Sequence, residues 1–272
     1  MKELVLLLCI MDIIFIIFFF VLGTIIGSFL NVLVLRLNTG ESVVASRSRC
    51  FSCGHALYAG DLIPLVSFFL QRGRCRYCKS VFSWQYPVGE FLTGLVFLLI
   101  AVKFGGEYIS ATAHYTSSII YYALIFSLLI AISLYDFRHK IIPNEFVYPF
   151  IVISFFAPII NTLGLTLSSV LPHFLSGLGG FLFFGSLWFF SGGRWMGFGD
   201  AKLALGMGFL LGPTMTTLAI LLAFWTGTLV MVPLLFSKRF GMKAEIPFAP
   251  FLIAGTLISW FGGEYIILYF LS

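Results

Sequence analysis

Two aspartates carry the chemistry that this chain offers most plainly. Asp200 follows Gly197-Phe198-Gly199 on a glycine-rich turn, and Asp136 ends an apolar run before Phe137-Arg138-His139-Lys140-Ile141-Ile142-Pro143-Asn144. Acids are scarce here, 11 among 272 residues in a chain that is 60% hydrophobic. A carboxylate in a membrane costs about 2.5–3.5 kcal/mol at a helix centre and less near the interface, so those that occur are candidates for function. Two carboxyls held close cannot both ionise, and the pair shares a proton. One can then activate water while the other protonates a carbonyl or leaving amine, which is peptide hydrolysis by an aspartic dyad. Gly197 and Gly199 would let backbone approach an extended substrate. Each acid also has a plain structural reading. Asp200 can cap a helix N-terminus, worth roughly 0.3–1 kcal/mol, with Lys202 as its ion partner. Asp136 can be an interfacial charge paired with Arg138 or Lys140.

Cysteine forms the second cluster. Cys50-Phe51-Ser52-Cys53 and Cys75-Arg76-Tyr77-Cys78 are two Cys-x-x-Cys pairs with 21 residues between them. Four thiolates from two such knuckles can close a tetrahedral zinc site at Zn–S distances of about 2.3 Å. Four cysteines leave no open coordination position, so this zinc would be structural. A segment the length of 36–85 cannot bury much core, and metal binding can supply the missing folding free energy. The alternatives are two disulfides, which a cytoplasmic placement disfavours, or free buried thiols. His55, beside the first knuckle, reads as a surface residue.

The elements that must position these groups are membrane helices. Charged residues make up 10% of the chain, against about 25% in soluble domains, and mean hydropathy is +1.05. Apolar runs cover 4–35, 86–102, 119–135, 143–160, 172–190, about a dozen residues from 201, 216–236 and 250–271. The expected fold is therefore an all-α polytopic membrane protein of about eight transmembrane helices, with a small zinc-ribbon-like insertion between the first two. The first run is too long for a signal-peptide core and ends without a small-x-small cleavage pattern, so it reads as an uncleaved helix. The sixth, broken from the seventh at Gly212-Pro213, is short for a ~30 Å hydrocarbon core.

With eight spans, one face receives Arg36, Arg47, Arg49, Arg72, Arg74, Arg76, Lys79, Arg138, Lys140, Arg194, Lys202, Lys238, Arg239 and Lys243, which is 14 of 16 Lys and Arg; Lys2 and Lys103 fall opposite. The positive-inside rule makes the first face cytoplasmic, together with the four-Cys segment, Asp136 and Asp200. The net charge of +5 is thus explained by topology and anionic lipid rather than by nucleic acid.

Taken in order, the motifs resemble those of the bacterial type IV prepilin peptidases, membrane aspartic peptidases with a Gly-x-Gly-Asp motif, over nearly the whole chain. Gly27-Ser28-Phe29-Leu30-Asn31-Val32 with Arg36-Leu37 is similar to the family's first-helix signature. Cys50-x-x-Cys53-Gly54-His55, Asp61-Leu62-Ile63-Pro64-Leu65-Val66-Ser67-Phe68 and Arg72-Gly73-Arg74-Cys75 resemble its cytoplasmic segment. Tyr86-Pro87-Val88-Gly89-Glu90, Asp136 with Ile142-Pro143-Asn144, Gly197-Phe198-Gly199-Asp200 and Ile246-Pro247-Phe248-Ala249-Pro250-Phe251 complete the series.

The resemblance implies catalytic roles for Asp136 and Asp200 in removing the leader of prepilins or pseudopilins, on the cytoplasmic side of the bacterial inner membrane. Members with the long Cys-containing segment also methylate the new N-terminal amine, usually of Phe, with S-adenosylmethionine as co-substrate. It further implies a division into a first helix (1–35), a four-Cys zinc segment tied to methyl transfer (36–85) and a peptidase core (86–272). Glu90 is read either as a contact for the substrate's leader or amine, or as a charge favoured at a helix N-terminus. Lys202 either supports Asp200 and substrate backbone or is an ion partner. Two rivals stay open. One is a transporter in which the two acids carry protons or cations, although both lie at one membrane edge and no hydropathy repeat is evident. The other is a related peptidase for archaeal or competence-type pilins.

Overall fold

The computed structural model describes residues 2–43, 46–105, 113–162, 166–236 and 247–271. Lys238, Arg239, Lys243 and Ile246, and parts of two expected loops (106–112 and 163–165), lie outside the described residues. The chain divides into two compact units, Met1–Leu134 and Tyr135–Ser272. Among the described residues the elements are helical: α1 (Lys2–Arg36), a 3-10 turn (Ala59–Asp61), α2 (Val66–Leu70), α3 (Gln85–Phe104), α4 (Ala113–His139), α5 (Asn144–Ser154), α6 (Ala157–Thr162), α7 (Leu167–Ser191), α8 (Phe198–Phe236) and α9 (Ala249–Leu271). The protein is an all-α, multi-pass membrane protein, as its hydropathy predicts.

In the first unit α1 lies against α3. Small residues set the approach, because apolar side chains gain little from association in lipid and packing must come from close backbone contact. A Cβ at Gly23 would stand 2.7 Å from the Phe97 Cβ, and one at Gly27 would stand 2.8 Å from the Glu90 Cα. Buried Asn31 donates from Nδ2 to the Tyr86 carbonyl at 3.1 Å, tying α1 to the start of α3. Gly27→Val is expected to destabilise the protein by about 1–3 kcal/mol through overpacking, read as a lower unfolding temperature in detergent; unchanged unfolding would contradict this close packing.

In the second unit α7 packs on α8 and α8 on α9 by the same device: a Cβ at Gly208 would be 2.2 Å from the Gly177 nitrogen, and one at Gly255 would be 2.2 Å from the Ala219 carbonyl oxygen. Among the described residues six helices are long and apolar enough to cross a membrane, within Ile13–Arg36, Gln85–Phe104, Tyr115–His139, Leu167–Ser191, Phe198–Pro233 and Ala249–Phe270. The eight expected segments map onto this count for two physical reasons. The fourth run divides into α5 and α6, each too short alone. The sixth and seventh are two helices joined end to end within α8 at a kink at Gly212, whose φ of 72° and ψ of 179° are non-helical, and together they make one long apolar element. Gly212 therefore divides α8 into two helices where the sequence breaks.

Candidate active site and metal centre

The polar segment of the first unit folds around its cysteines. Each knuckle is a tight turn closed by backbone hydrogen bonds, Cys50 N–H to the His55 carbonyl at 3.0 Å and Cys75 N–H to the Ser80 carbonyl at 2.8 Å. Antiparallel bridges Arg49–Ala56 and Arg74–Val81 flank the two turns. Gly54 and Lys79, each four residues beyond its first cysteine, both take a left-handed φ (72° and 61°). The two knuckles are therefore conformational copies, although only one carries glycine at the position where glycine is free of strain.

The turns bring Cys50, Cys53, Cys75 and Cys78 together with all four sulfurs within 4.8 Å of one another. Cys50 and Cys75 are buried, Cys53 and Cys78 exposed, and all four are free thiols. The Cys50 and Cys78 sulfurs are 3.7 Å apart, which suits two ligands of one tetrahedral ion, since Zn–S bonds of about 2.3 Å place sulfurs about 3.8 Å apart. The Ser80 hydroxyl lies 3.1 Å from the Cys78 sulfur and 3.5 Å from that of Cys50. This hydroxyl pulls the Cys50 thiol down to about 6 against the opposing effect of burial, favouring the thiolate that binds metal. His55 stands apart from the ligand set, its ring 3.7 Å from that of Tyr77.

The second unit holds both aspartates. Asp136 lies near the end of α4 and Asp200 in the first turn of α8, and both are buried, 4% and 7% exposed. Asp136 Oδ2 accepts a hydrogen bond at 3.2 Å from the N–H of Ala249, which opens α9. Asp200 N–H closes the glycine turn onto the Gly197 carbonyl at 3.2 Å. Gly197 leaves the space beside Asp200 open, since a Cβ there would sit 3.6 Å from Oδ2. The two carboxylates are near enough for their charges to interact.

No basic side chain among the described residues forms an ion pair with either acid. The structural readings of Lys202 as partner of Asp200, and of Arg138 or Lys140 as partner of Asp136, are thereby corrected. Lys202 instead donates from Nζ to Asn144 Oδ1 at 2.8 Å, with the Tyr148 and Phe198 ring centres 5.0 and 5.2 Å away. Its reach along a long flexible stem lets it bind the start of α5 and rest on aromatic faces. Two buried carboxyls at helix ends, neither ion-paired among the described residues, can each exchange a proton with a bound water or peptide.

Glu90 belongs to the first unit. It is buried, and Oε2 accepts the Leu65 N–H at 2.7 Å. Sequence reasoning missed three supports that the structure supplies: Ala249 as donor to Asp136, Asn144 as acceptor for Lys202, and Ile142 beneath the glycine turn. Each lies in a quoted motif, but nothing local pairs it with its partner. A Cβ on Gly199 would be 2.8 Å from the Ile142 Cβ. Gly199→Ala should therefore displace Asp200 and lower its activity by about tenfold to a hundredfold, since a shift on the order of 1 Å costs that much in a positioned reaction. Turnover equal to wild type would show that the close approach does not position Asp200.

Residues 21–104 match the model of the bacterial peptidase A24 N-terminal domain, and residues 123–232 match that of the type IV leader peptidase family. The chain is 30% identical over 256 residues to a prepilin leader peptidase/N-methyltransferase of Bacillus subtilis (strain 168), covering 93% of this chain and 96% of that protein. It is also 30% identical over 272 residues to one of Pseudomonas putida, covering 90% of each. Over 135 residues it is 39% identical to one of Myxococcus xanthus (strain DK1622), covering 50% of this chain and 38% of that protein. No solved structure gives a significant match. Matched along nearly its full length by such a relative, the chain belongs to the type IV leader peptidase family.

Proposed function

We propose that this protein is a membrane aspartic endopeptidase that removes the leader of type IV prepilins or pseudopilins and then methylates the new N-terminal residue, usually Phe. The observation that carries the hydrolytic half is the pair Asp136 and Asp200, two buried carboxyls without a basic partner among the described residues; the Asp136 carboxyl accepts the Ala249 N–H, and the Asp200 N–H ties its backbone to the glycine turn. One carboxylate takes a proton from water as its oxygen attacks the scissile carbonyl. The other, protonated, gives its proton as the C–N bond breaks and the amine leaves. The two then exchange roles as the shared proton is restored. Gly197 and Gly199 admit substrate backbone to Asp200, and Lys202 positions the start of α8. Family membership favours this reading over an ion pathway.

The four cysteines hold a structural zinc in segment 36–85, the peptidase core is 86–272, and 1–35 is the first membrane helix. The names of the relatives, leader peptidase/N-methyltransferase, support the second activity, for which S-adenosylmethionine would supply an electrophilic methyl group to the neutral amine. The protein would lie in the bacterial inner membrane with the aspartates and zinc segment facing the cytoplasm, its partners being prepilins and the bilayer. The test is incubation of the full chain, in detergent or lipid, with a prepilin carrying a Gly–Phe leader junction, followed by mass spectrometry. Cleavage after Gly, and a product heavier by one methyl group when S-adenosylmethionine is present, are the expected results. Absence of cleavage across several prepilins by folded protein would overturn the reading.

A further inference from the structure

The first unit holds a half-open cavity of ≈ 300 Å³ beneath the polar segment, between α1 and the start of α3. It stands at the small end of the size range of small-molecule sites, about 300–1,000 Å³. Its walls include the rings of Phe29, Phe68, Phe82 and Tyr86, and its polar groups include Glu90 and Gln71. Three carboxylates line it, and two have cations. Glu41 pairs with Arg36 and Arg49, and Asp61 pairs with Arg76 at 3.3 Å. Glu90 has none among the described residues, although it is buried. Gln71 has a second unmet need. Its Nε2 donates to Asp61 at 3.2 Å, while its buried Oε1 has no hydrogen-bond partner.

Burying a carboxylate without a countercharge is costly, by several kcal/mol per ion even after relaxation. A ligand that brings a cation to Glu90, a hydrogen-bond donor to Gln71 and a flat ring to the aromatic walls would satisfy all three features. We propose that this cavity is the methyl-donor site, holding a sulfonium nucleoside with its cationic end at Glu90 and its base among the phenylalanine rings. This rests on the methyltransferase half of the proposed function. The backbone bond from Leu65 occupies Glu90 Oε2 and holds the carboxylate in place, so Glu90 is a binding residue set before the ligand arrives. The charge it meets could also come from the protonated N-terminal amine of the cleaved substrate. That source is distinguished by the test.

Binding of S-adenosylmethionine and of S-adenosylhomocysteine, whose sulfur is neutral, is measured by calorimetry on the full chain in detergent. Glu90→Gln is expected to weaken the sulfonium form at least about tenfold and the neutral form less than about threefold, because one partner of a buried charge pair is lost. Val32→Trp, which fills the cavity from α1, should weaken both. Ultraviolet crosslinking of S-adenosylmethionine to the wild-type protein needs no variant and should label peptides within residues 28–36 or 67–90. Unchanged affinity in both variants, or a label confined to Tyr135–Ser272, would overturn the proposal while leaving methyl transfer standing. So would a Glu90→Gln variant that raises KM for the acceptor peptide alone, which assigns the cavity to the amine. Wild-type protein that neither binds the donor nor methylates would remove the underlying reading as well.

Discussion

Asp136→Asn and Asp200→Asn will each reduce leader cleavage at least about a thousandfold, within the range lost when a general acid or base is removed. Asparagine keeps the size of the side chain and a carbonyl oxygen that can still accept the Ala249 N–H, so the Asp136 variant preserves the one hydrogen bond the structure gives it. What is lost is the ability to take up and release a proton. The same substitutions should leave the unfolding temperature unchanged or raise it, since each carboxyl is buried with no basic partner among the described residues and its removal relieves a desolvation cost. Lost activity with retained stability separates a catalytic acid from a structural one. Near-normal processing by either variant would sink the dyad, and loss of folded protein would return that aspartate to a structural role.

Loss of the metal should act on the other half of the molecule. Cys50→Ser, or exhaustive chelation, is expected to unfold the knuckles and to reduce methylation at least about a hundredfold, with a smaller effect on cleavage. The size follows from apparent structural-zinc affinities of about 10–16 kcal/mol, which exceed what so small a segment can gain from its own core. Cys50 is buried with its sulfur 3.7 Å from that of Cys78, so removing it both opens the coordination sphere and leaves a hole in the turn. Metal content, protease cutting between residues 46 and 82, and the mass of the processed product would be followed together. A chain stripped of metal that stays protected and fully active would refute the structural zinc.

Much of this was legible in the sequence because the informative signals are local. A membrane helix announces itself by continuous apolar residues, a metal knuckle by two thiols one turn apart, and a membrane-edge acid by its rarity. The all-α architecture, the four-Cys cluster and the isolation of Asp136 and Asp200 in an acid-poor chain could all be read this way. Spacing also found the break at Gly212-Pro213, where glycine supplies a φ that other residues adopt only with strain.

Tertiary structure decided the partners. Asp136 meets the Ala249 N–H across 113 positions, and Lys202 meets Asn144 across 58, distances over which periodicity carries no information. The expected ion pairs failed for the same reason: neighbours in sequence at a helix end need not face one another, whereas a long lysine stem can reach a distant amide. Glu90 reads in the sequence either as a substrate contact or as a helix-end charge, and only packing sets Leu65 and the cavity beside it. Residue type and spacing determined which groups could do chemistry here. Only packing, which brings backbone donors and missing side chains against them, decided what each one is held by.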